Sequence, residues 1–265
     1  MIEEEMLSSL SGTAIYLASI GILIGATETG YRIGRRAQSR IDEKARSQVA
    51  TIQAAVLGLL ALLLGFTFAM SVSRYDMRKQ LVLEESNAIG TTFLRTRLLP
   101  GPQGEKAAGL LRQYVDARLE FYEAGVHRPS LQAAMKRAGR LQKELWSCAV
   151  SAGRADPRAV TTGLYIQSLN ELVDLDAKRV TALENHVPES VIHLVYLVAA
   201  LAMGLTGYSC GLVGHRNLLP TVIASILIAS VVLLIVDLDR PRRGLIRVSQ
   251  QSMVRLRESI RPGSR

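Results

Sequence analysis

The sequence predicts an all-α integral membrane protein with four transmembrane helices and a helical soluble domain inserted between the second and third spans. Four apolar runs long enough to cross a bilayer alternate with strongly polar segments. The second run continues without a proline into a polar stretch, and the segment that follows lacks the apolar–polar alternation of a strand. We therefore divide the chain into a first transmembrane pair (1–72), a soluble helical domain (73–187), a second transmembrane pair (188–238) and a basic C-terminal tail (239–265).

The charge of the chain indicates what it binds. The 265 residues carry a formal net charge of +9. Nucleic-acid binding is one interpretation of this charge, but the arginine clusters flank apolar spans, where they can face anionic lipid headgroups. We therefore expect the lipid bilayer as a partner and no nucleic acid. Cys148 lies in the soluble segment and Cys210 in an apolar span, so we expect no disulfide between them.

The first span covers about residues 13–31. The glycines near its start and middle include a small-xxx-small pair that permits close helix contact, and they are Gly12, Gly21 and Gly25. Glu28 lies near the end of the span, where a charge is costly unless it faces protein or water. We therefore treat Glu28 as a candidate for a gating contact or an ion pair.

The second span begins a long helix that we expect to run from about residue 49 to Leu98. No proline interrupts the stretch until Pro100. About 50 residues at 1.5 Å per residue give a helix of roughly 75 Å. This length is more than twice the hydrocarbon thickness of a bilayer, so about half of the helix must stand outside the membrane.

The rest of the chain reads as helices separated by short breaks. Asp156 followed by Pro157 is a typical helix start, with an N-cap and a proline at the first helical position. The expected elements are soluble helices at 103–124, 130–152 and 157–185, spans at 190–213 and 218–236, and an amphipathic basic helix at 245–260. This last helix can lie on the membrane surface or dock on the central domain.

Four spans place both termini and the central domain on one side of the membrane. Eleven Lys and Arg residues lie close to the membrane on that side, and seven lie on the other side. This count favours a cytoplasmic central domain in a multi-pass protein of the cell (inner) membrane. Taken alone, the first span indicates the opposite orientation, because acidic residues precede it and arginines follow it.

The sequence contains no motif of a familiar enzyme. It has no phosphate-binding glycine loop, no Cys/His set with metal-ligand spacing and no nucleophile elbow. The four histidines are scattered and are typical of surface or interface positions. We therefore predict no catalytic residues, no metal, no cofactor and no enzymatic activity.

Two tight acidic groups are candidates for gating contacts or ion pairs. Glu84 and Glu85 suit either a solvated or intersubunit helix face or a gating contact. Asp237 and Asp239 suit either a Ca²⁺ or gating contact or ion pairs with the arginines that follow, Arg240, Arg242 and Arg243. Arg242 and Arg243 can also reach lipid phosphate or the Glu84–Glu85 pair, so we expect them to hold the tail by charge.

The second span carries the most specific functional pattern. Gly58, Leu62 and Phe66 recur every four residues and lie on one helical face, which Ala69 and Ser73 continue. These residues can face lipid or pack against another helix. In a ring of several copies they would instead form an apolar constriction that gates by dewetting. The weakly electropositive edge of a Phe ring would favour anions there.

The stretch LGFTFAMSVSRYDMRKQ (64–80) resembles the bestrophin anion channels, through Leu64-Gly65-Phe66 and Arg74-Tyr75. The layout is also similar: two spans, a long helical insertion, two spans and a tail. The chain is more similar still to the bestrophin-like domain family of bacteria and plants. EESNAIGTTFLRTRLLP (84–100) and DLDRPRRGLIRVSQQSM (237–253) resemble the signatures of that family.

The resemblance implies a homo-oligomer, by analogy a pentamer, that conducts inorganic ions, with anions as the ion favoured by the bestrophins. The second span would line the pore, and the bestrophin neck residues fall on Gly58, Leu62 and Phe66. Calcium activation is not implied, because RPRR stands where animal bestrophins have an acidic clasp, and Gly58 shortens the constriction. The alternative is a non-conducting membrane sensor or scaffold whose cytosolic helical domain binds a partner. A ring with an axial hole would favour the channel.

Overall fold

The computed structural model describes residues 12–156, 160–240, 242, 244 and 246–263. Every regular element within these residues is a helix, which confirms the predicted fold class. In chain order the elements are α1 Gly12–Ala37, α2 Glu43–Arg95 with a 3-10 turn at Thr96–Leu98, α3 Gln103–Glu123, α4 Arg128–Ala155, α5 Val160–Glu184, α6 Glu189–Val213, α7 Leu218–Asp239 and α8 Gln251–Ser259.

Four helical stretches are long and apolar enough to cross a membrane, as predicted. They are Gly12–Ala37, Glu43–Leu98, Val160–Val213 and Leu218–Asp239. The third stretch joins α5 and α6, and α6 is its apolar part. The predicted pairs of spans therefore correspond to α1 with α2 and to α6 with α7.

The long helix predicted from the second span is confirmed. α2 is unbroken over 53 residues, and the 3-10 turn carries the helical path to Leu98. At 1.5 Å per residue α2 is about 80 Å long, well beyond a hydrocarbon core of about 30 Å. Single glycines within it do not break it, because a lone glycine costs only about 1 kcal/mol relative to alanine.

The chain forms two compact units, each built from two stretches of sequence. We call the first the membrane unit, which consists of Met1–Ser73 and His186–Arg240. We call the second the insert unit, which consists of Arg74–Asn185 and Pro241–Arg265. The tail, which we treated as a separate segment, thus shares a compact unit with α3, α4 and α5.

Glycines bring α1 and α6 into backbone contact in the membrane unit. A Cβ atom placed on Gly30 would lie 1.9 Å from the carbonyl oxygen of Gly204. A Cβ atom placed on Gly207 would lie 1.9 Å from the carbonyl oxygen of Thr27. Real side chains do not tolerate such distances, so only glycine allows the two helices to approach this closely.

Within the chain, the predicted glycine pair of the first span makes no close helix contact. A Cβ atom on Gly21 or Gly25 would meet nothing within 4 Å. The contact instead uses Gly30 and Gly34, which have the same four-residue spacing but lie on the opposite side of α1. Sequence spacing cannot distinguish the two pairs, because the choice depends on which face of α1 meets α6.

The core of the insert unit is apolar and lies between α3, α4, α5 and the last part of α2. Leu111, Leu145, Leu169 and Leu172 are completely buried there. Met253 of α8 is buried in the same cluster, so the tail docks on this unit, one of its two expected positions. Burying each such side chain contributes about 1.5–3 kcal/mol relative to leaving it in water.

The tail helix is shorter than the predicted 245–260. It begins at Gln251 and ends at Ser259. The backbone N–H of Gln251 donates a hydrogen bond to Ser249 Oγ at 3.3 Å. The residue before it, Gln250, is buried and donates its side-chain amide to the carbonyl oxygen of Val248 at 3.2 Å. This local bond holds residues 248–250 out of the helix. Leu245 lies outside the described residues.

Candidate functional site

The five predicted pore-lining residues form an exposed stripe on α2. Leu62 is 54% exposed and Phe66 65% exposed, and Gly58, Ala69 and Ser73 are exposed as well. At about 100° per residue the five fall within an arc of about 80°. Their role in a pore stays a prediction, but their placement on one unpacked face of the chain is clear.

The opposite face of α2 packs within the chain. Leu60, Thr67 and Ser71 are buried on it, and Leu60 belongs to an apolar cluster with Ala202 and Met203 of α6. The partly buried residues Val56, Leu57, Leu63 and Leu64 extend this cluster. One side of the span is therefore packed within the membrane unit, and the stripe of pore candidates lies in the exposed remainder, which also includes Leu59, Phe68 and Met70.

The same helical phase continues beyond the span and becomes polar. Asp76, Gln80, Glu84 and Asn87 follow Ser73 at intervals of three or four residues, and all four are exposed. Gln80 donates a hydrogen bond to Glu84 Oε1 at 3.1 Å. Glu84, one of the predicted gating candidates, thus lies on the exposed side of α2.

Its neighbour Glu85 has the opposite environment, so the expectation of a solvated face is wrong for Glu85. The side chain is completely buried in the insert unit. Glu85 Oε1 lies 2.7 Å from Arg118 Nε, and Glu85 Oε2 pairs with Arg179 Nη1. The hydroxyl of Tyr114 donates to Glu85 Oε1 at 3.3 Å. A buried carboxylate requires such partners, because an unpaired one would be strongly destabilising.

A second layer surrounds this ion pair. Arg118 Nη1 lies 2.6 Å from Asp176 Oδ1. The side-chain amide of Gln142 donates to Asp176 Oδ2 at 2.8 Å and to the hydroxyl of Tyr114 at 3.2 Å. Burial lowers the pKa of Arg118, but Glu85, Tyr114 and Asp176 together outweigh it and raise that pKa above its usual value. The guanidinium therefore stays charged although only 2% of the Arg118 side chain is exposed.

The tail reaches this network through two residues. Gln250 Oε1 accepts a hydrogen bond from Arg179 Nη2 at 3.4 Å. The guanidinium of Arg242 lies over the ring of Phe121, 4.5 Å from its centroid, and Arg118 lies 5.2 Å from the same centroid. The tail is therefore joined to the buried ion pair by a hydrogen bond and by a shared aromatic ring.

Of the partners predicted for Arg242, only Glu84 and Glu85 lie in the insert unit, and its role toward lipid phosphate or the aspartates of α7 stays a prediction. No carboxylate in the described part of this unit forms an ion pair with Arg242, because Glu85 is occupied by Arg118 and Arg179. Burial lowers the pKa of Arg242, and the like charges of Arg118 and Arg179 lower it further. Arg243, the other predicted tail cation, lies outside the described residues.

The remaining acidic candidates lie in the membrane unit. Asp239 Oδ1 accepts a hydrogen bond from the backbone N–H of Val187 at 3.0 Å, and Asp239 Oδ2 lies 3.3 Å from His186 Nδ1. Asp237, in the last turn of α7, accepts a backbone hydrogen bond from Arg240 at 3.2 Å. Asp239 thus joins the end of α7 to the residues that lead into α6. No group of three or more potential metal ligands occurs among the described residues.

Glu28 forms ion pairs near the end of α1. Its Oε1 lies 2.7 Å from Arg32 Nε and 3.3 Å from Arg216 Nη2. Arg216 also lies over the ring of Tyr31 at 4.6 Å. Glu28 therefore connects α1 to the short link between α6 and α7 within the membrane unit.

Sequence reasoning missed the cations and the ring at the centre of the insert unit. Arg118 follows Leu111 and Tyr114 at helical spacing on the buried face of α3, and Phe121 comes next on that face. An arginine at an apolar-face position is a usable signal for a buried ion pair. Arg179 carries the same signal, because it follows Leu172 and Leu175 at helical spacing on the buried face of α5.

Comparisons with known proteins give one consistent result. The family model described as Bestrophin-like domain matches residues 20–253. Crystal structures of a bacterial bestrophin homologue from Klebsiella pneumoniae have the same fold. One mutant structure is 14% identical, has a TM-score of 0.67 and covers 92% of this chain and 96% of its own. A second mutant structure is 16% identical, with a TM-score of 0.64 and coverage of 94% and 97%. A search of curated proteins found no match.

Proposed function

Because this chain belongs to the bestrophin-like domain family, we propose that it assembles as a homo-oligomeric ring, specifically a pentamer, and conducts inorganic ions through a pore lined by α2. The observation that carries the proposal is the stripe of Gly58, Leu62, Phe66, Ala69 and Ser73, which is exposed while the opposite face of α2 is packed. An exposed apolar face on a transmembrane helix meets lipid, another helix or a pore, and membership of the bestrophin-like domain family supports the pore.

The narrowest part of the proposed pore lies at Leu62 and Phe66. Their large apolar side chains raise the free energy of a hydrated ion between them, which is the basis of hydrophobic gating. Gly58 and Gly65 carry no side chain, and a Cβ atom on either would meet nothing within 4 Å of the same chain. Neighbouring copies can therefore approach closely above and beside the constriction.

Two features of α2 act in opposite directions on ion selectivity. The ring edge of Phe66 is weakly electropositive and favours anions. The carboxylates of Asp76 and Glu84 continue the stripe beyond the span and favour cations, as acidic rings do in cation channels. The reversal potential under a KCl gradient measures which of the two dominates. Anion conduction predicts a potential near that of chloride.

The test of the pore is Phe66→Ala in planar bilayers that contain the purified oligomer. Removing the ring lowers the apolar barrier, so we expect a several-fold rise in conductance or in open probability. The matched control is Phe68→Ala, two residues along the same helix and about 200° away around it. The control should leave the single-channel conductance unchanged.

Two outcomes would contradict the proposal. Equal effects of both substitutions would place Phe66 outside the pore. An assembled wild type and an assembled Phe66→Ala protein that pass no current under any gradient or voltage would favour the sensor or scaffold. Native mass spectrometry of the same samples gives the number of subunits, and a monomer or a dimer would exclude a ring.

We also propose that the insert unit faces the cytoplasm in a multi-pass protein of the cell membrane. The excess of Lys and Arg near the membrane on its side supports this orientation. A green fluorescent protein fused after Arg265 should fluoresce, and an alkaline phosphatase fused there should be inactive. The reverse pattern would show the opposite orientation.

A further inference from the structure

The insert unit contains an open pocket of about 570 Å³ that the proposed pore does not use. The walls come from the start of the unit on α2, the ends of α3 and α5, and the tail. Apolar side chains make most of the surface, and they are Leu81, Val82, Phe121, Tyr122, Leu183 and Val248.

Arginines supply the polar part of the pocket. Four of them line it: Arg78, Arg179, Arg242 and Arg247. Arg78 donates to the backbone carbonyl oxygens of Ala182 at 2.9 Å and Asn185 at 2.9 Å, which hold it in place. Arg179 shares the charge of Glu85 with Arg118.

The positive charge at the pocket exceeds the negative charge. Around it, Glu85 and Asp176 face three cations of the insert unit, which are Arg118, Arg179 and Arg242. Arg242 is half-buried, contacts a ring and stands beside two like charges. A guanidinium stays ionised in a protein, so its placement here costs free energy that an arriving anion would recover.

We propose that this pocket binds an anionic group, a phosphate or a carboxylate, carried on an apolar body. The head would be bound by Arg242, whose planar fork suits both oxyanions, with Arg179 and Arg78 beside it. The body would lie against Leu81, Val82 and the ring of Phe121. Because the walls belong to α2 and to the tail, the bound ligand would tie these two parts of the insert unit together.

The ligand can come from the bilayer or from solution. Arg78 and Leu183 lie close in sequence to Arg74 and Asn185, where the chain enters and leaves the insert unit. An anionic lipid and a soluble amphipathic anion carry the same chemistry to this place.

The probe is octyl phosphate, titrated into the full-length protein in a neutral detergent and followed by the thermal unfolding temperature. Octyl glucoside, which has the same chain and no charge, is the ligand control. We expect octyl phosphate to raise the unfolding temperature of the wild type, and Arg242→Gln to weaken its binding by about tenfold or more, since a charge-assisted pair is lost. Arg97→Gln makes the same charge change at an exposed arginine of the 3-10 turn and should bind as the wild type does.

A second variant keeps the test independent of charge and of the fold around Arg242. Ala182→Phe fills the pocket from α5 and should also weaken binding, while the backbone carbonyl that bonds Arg78 remains. Equal affinities in the wild type, Arg242→Gln and Ala182→Phe would overturn the site. An equal response to octyl glucoside would overturn the anion. In nanodiscs, loss of octyl phosphate binding when phosphatidylglycerol is present would identify a lipid as the ligand, and unchanged binding a soluble anion.

Discussion

The membrane unit and the insert unit are both helical, yet different kinds of contact join the helices inside each of them. In the membrane unit, α1 and α6 meet where Gly30 and Gly207 bring backbone against backbone. In the insert unit, α2, α3 and α5 meet around the buried carboxylate of Glu85 and two arginines. Water drives apolar burial only outside the bilayer, so close contact of small residues carries more of the packing inside it.

This contrast teaches where each unit is vulnerable. A close backbone contact tolerates no added atoms, but it contains no charge that could be left unpaired. A buried ion pair tolerates small shifts, but it fails when one partner is removed. The two units should therefore respond differently to the same class of substitution.

The largest effect is expected from Arg118→Met. This change keeps most of the apolar stem of the side chain. It leaves Glu85 with a single cation and removes the ion pair between Asp176 and Arg118. Loss of one partner of a buried pair costs about 3–5 kcal/mol of stability. Trp146, the single tryptophan, lies in α4, so its fluorescence during denaturation of the full-length protein reports on the insert unit.

The matched control for Arg118→Met is Arg137→Met. Arg137 Nη1 pairs with Glu120 Oε1 at 2.5 Å in the same unit, but both side chains are exposed. Exposed pairs contribute only about 0–1 kcal/mol. If Arg118→Met costs no more than Arg137→Met, the buried network does not hold the insert unit together, and the contrast between the units fails.

A smaller effect is expected from Gly207→Ala in the membrane unit. The new Cβ would lie 1.9 Å from the carbonyl oxygen of Thr27, so α1 and α6 must separate. Such overpacking costs about 1–3 kcal/mol. Thermal unfolding followed by circular dichroism in detergent measures the loss, and the Trp146 emission maximum of the native protein should not change.

The matched control for Gly207→Ala is Gly21→Ala on α1. A Cβ there would meet nothing within 4 Å of the chain. Replacing an unconstrained helical glycine by alanine stabilises the folded state by about 0.4–1 kcal/mol. The two substitutions are thus expected to have opposite signs. A loss of similar size at both positions would mean that contacts made in the assembly, and not the α1–α6 contact, control the result.

The elements of the fold could be predicted from the sequence, because each depends on a long and local pattern. The unbroken α2 follows from the absence of proline before Pro100, and the four spans follow from their apolar length. The stripe from Gly58 to Ser73 could also be placed on one face, since helical spacing alone decides it. Docking of the tail remained open because an amphipathic basic helix suits a membrane surface as well as a protein core.

The parts that escaped prediction depend on which faces meet. Glu84 and Glu85 are neighbouring residues of the same type, yet the turn of the helix exposes Glu84 and buries Glu85. Gly21 with Gly25 and Gly30 with Gly34 have the same spacing, and only the position of α6 selects the second pair. Arg179 counted as a membrane-facing charge in the topology argument, but it is bound to Glu85. Local sequence carries no record of these distant partners.

The docked tail has a consequence for how the protein is made. Met253 and Ile260 complete the apolar core that Leu111 and Leu145 begin. These two tail residues are synthesised only after α6 and α7. Part of the core of α3, α4 and α5 therefore stays exposed while two further helices enter the bilayer. An exposed apolar surface of this kind invites aggregation or capture by a chaperone. A stop codon placed before Gln251 should therefore leave full-length spans whose insert unit never closes.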